Sequence, residues 1–246
     1  MKKVHIAFAN NVFLKSLDIL KRTSLTVGKV DEFISFGTED LHMNNFWEEN
    51  QHILSQKLGA GYWIWKPFII LETMKLLDDG DVVLYTDAGM RVLENLDPLF
   101  EITKTAKDNR MLFALTMIYG SHRHSEYTKR DCFILMGMDK PEYWEARMLN
   151  AAFSVWMKTQ KNIDFLTEWQ VYLKDSRVVT YEPNVCGQSN LSDYIDHRHD
   201  QAVLSLLSLK YGRELYREPT QFTNDERGNY SNSPYNQLFD HHGGKL

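Results

Sequence analysis

Cysteine is scarce. Only Cys132 and Cys186 occur in 246 residues, far apart and outside any metal-type spacing. A disulfide-stapled scaffold needs more, so both are expected to be reduced thiols in a cytoplasmic setting. Basic charge is not in excess either. Lys and Arg number 28 against 33 Asp and Glu, a net charge of -5. That balance argues against nucleic acid as the main ligand, since phosphate binders usually show a basic face, and leaves room for a locally basic pocket. No apolar run approaches the ~20 residues of a membrane-spanning helix. The opening residues Met1 to Asn10 are interrupted too soon to read as a signal peptide. There is no repeat, no low-complexity linker, no dinucleotide-binding glycine fingerprint and no P-loop. A doubly wound phosphate-binding protein of those kinds is therefore disfavoured.

What is present is an ordinary globular composition, 43% hydrophobic and 25% charged. The length suits one large domain. Aromatic residues reach 13%, with six Trp and twelve Tyr. They serve either the core or as stacking platforms for sugars or bases.

Periodicity sketches the fold. Val4 to Ala9 reads as a buried strand, ending at Asn10-Asn11, which can cap a helix carrying Phe13, Leu17 and Leu20. Glu32 to Phe36 reads as a second strand. Pro67 suits the first turn of a helix, which Asp78-Asp79-Gly80 stops. The apolar stretch from Asp81 to Tyr85 then forms a strand running into Asp87. Further strands are expected over Arg110 to Thr116 and Ala151 to Met157, with helices over Ile163 to Leu173 and Asp200 to Lys210. Ser121 to Glu126 reads as a loop. Alternating strands and helices predict an α/β fold, a mostly parallel central sheet flanked by helices in a single domain. Within it, about 1–115 would form a nucleotide-binding half and about 116–218 an acceptor and catalytic half. Residues 219–246 would form a polar tail or lid.

Ligands of open α/β sheets bind beyond the carboxyl ends of the strands. Asp87 stands at such an end, followed by Ala88 and Gly89, small residues that let a ligand approach the backbone. The competing reading is a turn in which Asp87 caps local amides. Upstream, Gly61-Tyr62-Trp63-Ile64-Trp65-Lys66-Pro67 gathers aromatics and one lysine at a helix start. Lys66 there can meet a phosphate, or else be solvated while the tryptophans pack in the core. Asn10 ends the first strand, where it can cap a helix or meet a nucleoside. Asn150 precedes the small residues Ala151 and Ala152, where a sugar would find room.

The run from Gly61 to Pro67, followed by Tyr85-Thr86-Asp87-Ala88-Gly89, by Thr128-Lys129-Arg130-Asp131-Cys132-Phe133 and by His197-Arg198-His199-Asp200-Gln201, resembles a group of small bacterial and viral glycosyltransferases of the GT-A, or nucleotide-sugar transferase, fold. The motifs span roughly residues 60 to 205. The resemblance implies a transferase acting on a nucleoside-diphosphate sugar and a glycan acceptor, in the cytoplasm, or the host cytoplasm if viral. It implies a donor site from Asn10, Trp65, Lys66, Tyr85, Thr86, Asp87, Ala88, Gly89, Asn150 and Gln201. Asp200 is the implied catalytic carboxylate and Asp131 the runner-up. The fold usually carries an Asp-x-Asp pair that holds a divalent cation on the donor diphosphate. Here Asp87 matches the first Asp, and Gly89 stands where the second would be. A Mn or Mg ion would therefore need further ligands, for which His241 and His242 are the candidates. In a metal-free site, Lys66, Arg91 or Arg123 would neutralise the phosphates. The missing second carboxylate also keeps open a catalytically inactive binding module of the same fold.

Overall fold

The computed structural model describes residues 1–116, 120 and 122–243, with Arg227 by its backbone alone. Ser121 of the expected loop lies outside the described residues. Eight strands are described: β1 (Lys3–Phe8), β2 (Glu32–Phe36), β3 (Val82–Thr86), β4 (Met90–Val92), β5 (Arg110–Ala114), β6 (Leu149–Met157), β7 (Leu215–Tyr216) and β8 (Phe239–His241). Six of them form one sheet in the order β2-β1-β3-β6-β5-β7. Only β6 runs against its neighbours; β1 with β2, β1 with β3 and β5 with β7 are parallel. The sheet is thus mostly parallel and flanked by helices, the α/β class that the alternating sequence pattern predicts.

Strand alternation divides the core into two layers. In β1, Val4, Ile6 and Phe8 face the side covered by the helices Trp65–Lys75, Gln160–Leu173 and His199–Lys210. Ala7 faces the other side, with Leu17 and Leu20 of the Leu14–Thr26 helix and Leu99 and Phe100 of the Asp97–Thr105 helix. His5 shares this second side. Its ring bonds Ser24 Oγ at 2.8 Å and Thr86 Oγ1 at 2.9 Å. Burial pushes its pKa down to about 3, so it is a neutral core histidine.

Several local expectations are corrected. β5 stops at Ala114 and β6 begins at Leu149. His124–Tyr127 is a helical turn rather than a loop, because the Glu126 side chain accepts from the Arg123 amide and closes it. Asn10 precedes a short 3-10 turn but makes no side-chain cap bond. The chain from Pro219 to Gly243 does not trail free. The amides of Leu238 and Phe239 both bond the Pro219 carbonyl, and β8 pairs antiparallel with β4. Phe239 is fully buried, which anchors this polar segment despite its composition.

One turn is unusual. Gly59, Ala60, Gly61, Tyr62 and Trp63 all have positive φ, at 58, 50, 93, 54 and 59°. The amides of Tyr62 and Trp63 bond the carbonyls of Leu58 and Gly59 at 2.7 and 3.2 Å. This is a single left-handed helical turn, which costs about 1–2 kcal/mol for each non-glycine residue. Such strain persists only where the surroundings over-determine it. Here Trp65 Nε1 bonds the Gly59 carbonyl at 2.9 Å, and a side chain on Gly59 would run into the Trp63 ring. A Cβ on Gly61 would lie 2.6 Å from Leu54 Cα. Gly61→Ala is therefore expected to destabilise by more than about 1 kcal/mol, lowering Tm by at least about 2–4 °C. An unchanged melting curve would contradict the left-handed turn.

Candidate functional site

That turn and the sheet meet at a cleft. Beyond the carboxyl ends of β1 and β3, Asn10, Asp87, Ala88 and Gly89 line a cavity of about 350 Å³ with Trp63, Trp65 and His241. Asp87 and Trp63 also line a second cavity, of about 310 Å³, whose far wall is Asn150, Asp200 and Gln201. The two are one cleft with Asp87 at its waist.

Three charges meet at that waist. Lys66 Nζ lies 3.0 Å from Asp200 Oδ2 and 3.4 Å from Asp87 Oδ1, and it donates to the Ala151 carbonyl at 3.1 Å. The Lys66 side chain is 4% exposed and Asp200 5%, whereas Asp87 is 36% exposed. A buried lysine would ordinarily shed its proton. Burial does act to lower its pKa, but Asp200 and Asp87 outweigh it and hold the ammonium above its ordinary value. Asp200 is raised to about 6. Burial drives it up, Lys66 holds it back, and the nearby Asp87 charge adds to the rise. Asp87 is steadied from below, where the Tyr85 hydroxyl donates to its Oδ1 at 2.6 Å.

The structure brings together most of the residues picked out from sequence, but not all. Thr86 is turned to the opposite face of the sheet, onto His5, as strand alternation requires once Tyr85 faces the cleft side. Tyr85 is 1% exposed and reaches the cleft only through Asp87. Asp131 is fully buried elsewhere. Its two oxygens accept the amides of Val185 and Cys186 at 2.7 and 3.1 Å. A carboxylate so engaged holds a loop and does not reach the cleft. Asn150 is tied to Glu218 and to the Ala152 amide, and Gln201 to the Leu149 carbonyl. Both still line the second cavity. Asn10 is the opposite case: its Oδ1 is buried and has no hydrogen-bond partner.

The two metal candidates share one cavity, of about 400 Å³, but only His241 also lines the Asp87 cavity. His241 lines the same cavity as Asp87, and burial lowers its pKa against a pull from Asp87. A neutral imidazole is the form that ligates metal. His242 lines the shared cavity with Asn150 and Glu218, while its amide bonds the Gly89 carbonyl at 3.1 Å. Among the described residues no three His, Cys, Asp or Glu side chains converge as a metal cage. Of the phosphate-neutralising alternatives, Lys66 lines the cleft, already paired with two carboxylates. Arg91 is paired with Asp240 across β4 and β8, and Arg123 with Glu145. Lys57, not picked out from sequence, lines the Asn10 cavity instead. Trp63 and Arg198 were legible only as flanks of the chosen motifs, and both line the Asp200 cavity.

No protein-family model and no curated protein matches the sequence. Among solved structures, the crystal structure of mouse xyloside xylosyltransferase 1 in its apo form is similar, with a TM-score of 0.50 and 11% sequence identity. The match covers 98% of this chain and 97% of that one. Identity that low speaks for the fold alone. The fold is α/β and GT-A-like, in a single domain. No helix among the described residues is long and apolar enough to cross a membrane.

Proposed function

We propose that this chain is a glycosyltransferase that moves a sugar from a nucleoside diphosphate to a glycan hydroxyl, acting in the cytoplasm. The observation that carries the reading is the Lys66–Asp87–Asp200 cluster at the waist of a two-part cleft. Structural ion pairs are usually placed at surfaces or left out of cores, since desolvation offsets their attraction. A buried lysine with two carboxylates beside a cavity is a candidate for chemistry instead.

In this reading the nucleoside lies in the Asn10 cavity, against Trp65, which stacks on Phe8 at 4.0 Å. The unpartnered Asn10 Oδ1 accepts from a donor on the base or ribose. The diphosphate passes Asp87, and the sugar lies toward Asp200. The bond from the anomeric carbon to phosphate breaks as the acceptor oxygen attacks that carbon. Positive charge gathers at the sugar and negative charge on the leaving diphosphate. Asp200 meets the first, either taking the proton of the attacking hydroxyl or steadying the cationic centre. Lys66 fixes where both carboxylates sit. Lys57 lines the Asn10 cavity without an acidic partner among the described residues, and is the cation that meets the diphosphate in this reading.

The protein atoms fit a divalent cation in a limited sense. Asp87 and His241 would supply two ligands, and phosphate oxygens would have to supply more. The two residues therefore fit an ion that arrives with the donor, not a resident metal centre. Such an ion would neutralise the departing diphosphate.

Asp200 must be ionised in either stereochemical course. With its pKa raised to about 6, nucleotide release from the donor should rise about tenfold per pH unit below 6 and level off above it. The profile of kcat/KM between pH 4.5 and 8 checks this. A flat profile would remove Asp200 from the reacting centre.

A further inference from the structure

The cleft does not end at Asp200. Beyond it lies a third cavity, of about 230 Å³, lined by Leu115, His122, Tyr127, Met148, Arg198 and Gln201. Arg198 and Gln201 also line the Asp200 cavity, and Asp87 and Trp63 join that one to the Asn10 cavity. The three adjoin in that order, and the cavity of about 400 Å³ that holds His242 runs alongside, sharing His241 with the first, Asn150 with the second and Leu115 with the third. The Asn10 end and the Arg198 end share no residue, and the Lys66–Asp87–Asp200 cluster lies between them.

The far end is basic, in a chain whose net charge is -5. The Arg198 guanidinium lies 5.1 Å from the centre of the Tyr127 ring. That ring also meets His122 edge-on at 5.2 Å. Stacking orients the guanidinium plane without neutralising it. Arg198 is exposed, and no carboxylate pairs with it among the described residues. Arg147 adds a second positive charge and donates to the Gly120 carbonyl at 3.3 Å. Burial, then Arg198, then Arg147 hold His122 below its ordinary pKa, against Glu126. Arg147 also acts on Arg213, whose Nη1 is buried without a partner. Arg213 lines a separate pocket beside Glu214, so Arg198 is the cation that lines this cavity. None of the described lining side chains is acidic.

Like charges gathered beside a cavity repel one another unless an anion joins them. A planar guanidinium held on a ring suits a two-oxygen anion such as phosphate or carboxylate. Position decides whose anion it is. A donor with its nucleoside in the Asn10 cavity spends its diphosphate at Asp87 and its sugar at Asp200. An anion at Arg198 lies past the transferred sugar, on the side from which the acceptor must come.

We propose that the Arg198 cavity is an anion subsite for the acceptor, taking a phosphomonoester or carboxylate group carried on the acceptor glycan. This assignment rests on the glycosyltransferase reading. Inorganic phosphate and free glucuronate serve as probes, titrated by NMR into the wild-type chain and into Arg198→Gln, each with and without a nucleoside diphosphate. At least one anion is expected to bind the wild type saturably, and the tighter one identifies the acceptor group. Arg198→Gln should weaken it about tenfold or more. The nucleoside diphosphate should bind wild type and variant alike and leave the anion in place. Equal anion binding by wild type and variant, no saturable anion binding, or displacement by the nucleotide would each overturn the proposal. Displacement would assign Arg198 to the donor diphosphate. Anion binding that depends on Arg198 while no nucleotide binds would contradict the donor reading and leave the anion site intact.

Discussion

Asp87→Asn should reduce nucleotide release from the donor by at least about a hundredfold while leaving the fold intact. The carboxylate is the one member of the buried cluster open enough to meet a diphosphate or its cation, at 36% exposed. Asparagine keeps an oxygen for the Tyr85 hydroxyl, which now bonds Asp87 Oδ1 at 2.6 Å. No buried donor is orphaned, so the roughly 1–3 kcal/mol cost of an unmade hydrogen bond is avoided. Lys66 retains its closer partner, Asp200, at 3.0 Å. Activity and stability therefore separate in this variant. Melting temperature and donor turnover, measured on one preparation, check it. Wild-type turnover would take Asp87 out of the site, and a large loss of stability would make it a structural carboxylate.

Lys66→Met should do the reverse to stability. Methionine fits the apolar surroundings, but it leaves two carboxylates facing each other, and Asp200 is almost wholly buried. Breaking a buried pair by removing one partner costs about 3–5 kcal/mol. The loss should depend on pH, with a sign that follows from linkage. Asp200 has a raised pKa in the folded chain, about 6, so the native state holds its proton more tightly than the unfolded one. Its contribution to stability falls as pH rises from the ordinary carboxylate range through 6. Without Lys66 the raised value moves higher still. The deficit should be largest at pH 8 and shrink at pH 5, where Asp200 is neutral. Urea unfolding at the two pH values measures it. A deficit equal at both would place the cost in packing.

The parts of this arrangement that a sequence reveals are those that repeat at short range. The apolar alternation of β1 and β3 was legible, as was the strand end at Asp87 and the helix that opens near Asp200. Lys66 is legible in the sequence as a candidate beside the helix start but not as a buried ion, because its carboxylates stand far along the chain. Neighbours on a strand face opposite sides, so strand alternation alone keeps Tyr85 and Thr86 from both pointing into the cleft. No such local rule reaches Asp131, since the amides of Val185 and Cys186 that satisfy it come from a distant irregular loop. The docking of Phe239–His241 was hidden because three residues in a polar segment carry no readable period. The left-handed turn was written only as Gly59-Ala60-Gly61, two glycines that many other turns would also accept.

A cleft that turns over a nucleoside-diphosphate sugar is tested most directly by nucleotide release from a panel of such donors, with and without Mn, by the wild-type chain and by Asp87→Asn. The expected result is release from at least one donor, stimulated by Mn and lost in the variant. Saturable donor binding without release from any donor, with or without Mn, would contradict the glycosyltransferase reading and leave the chain a binding module of the same fold.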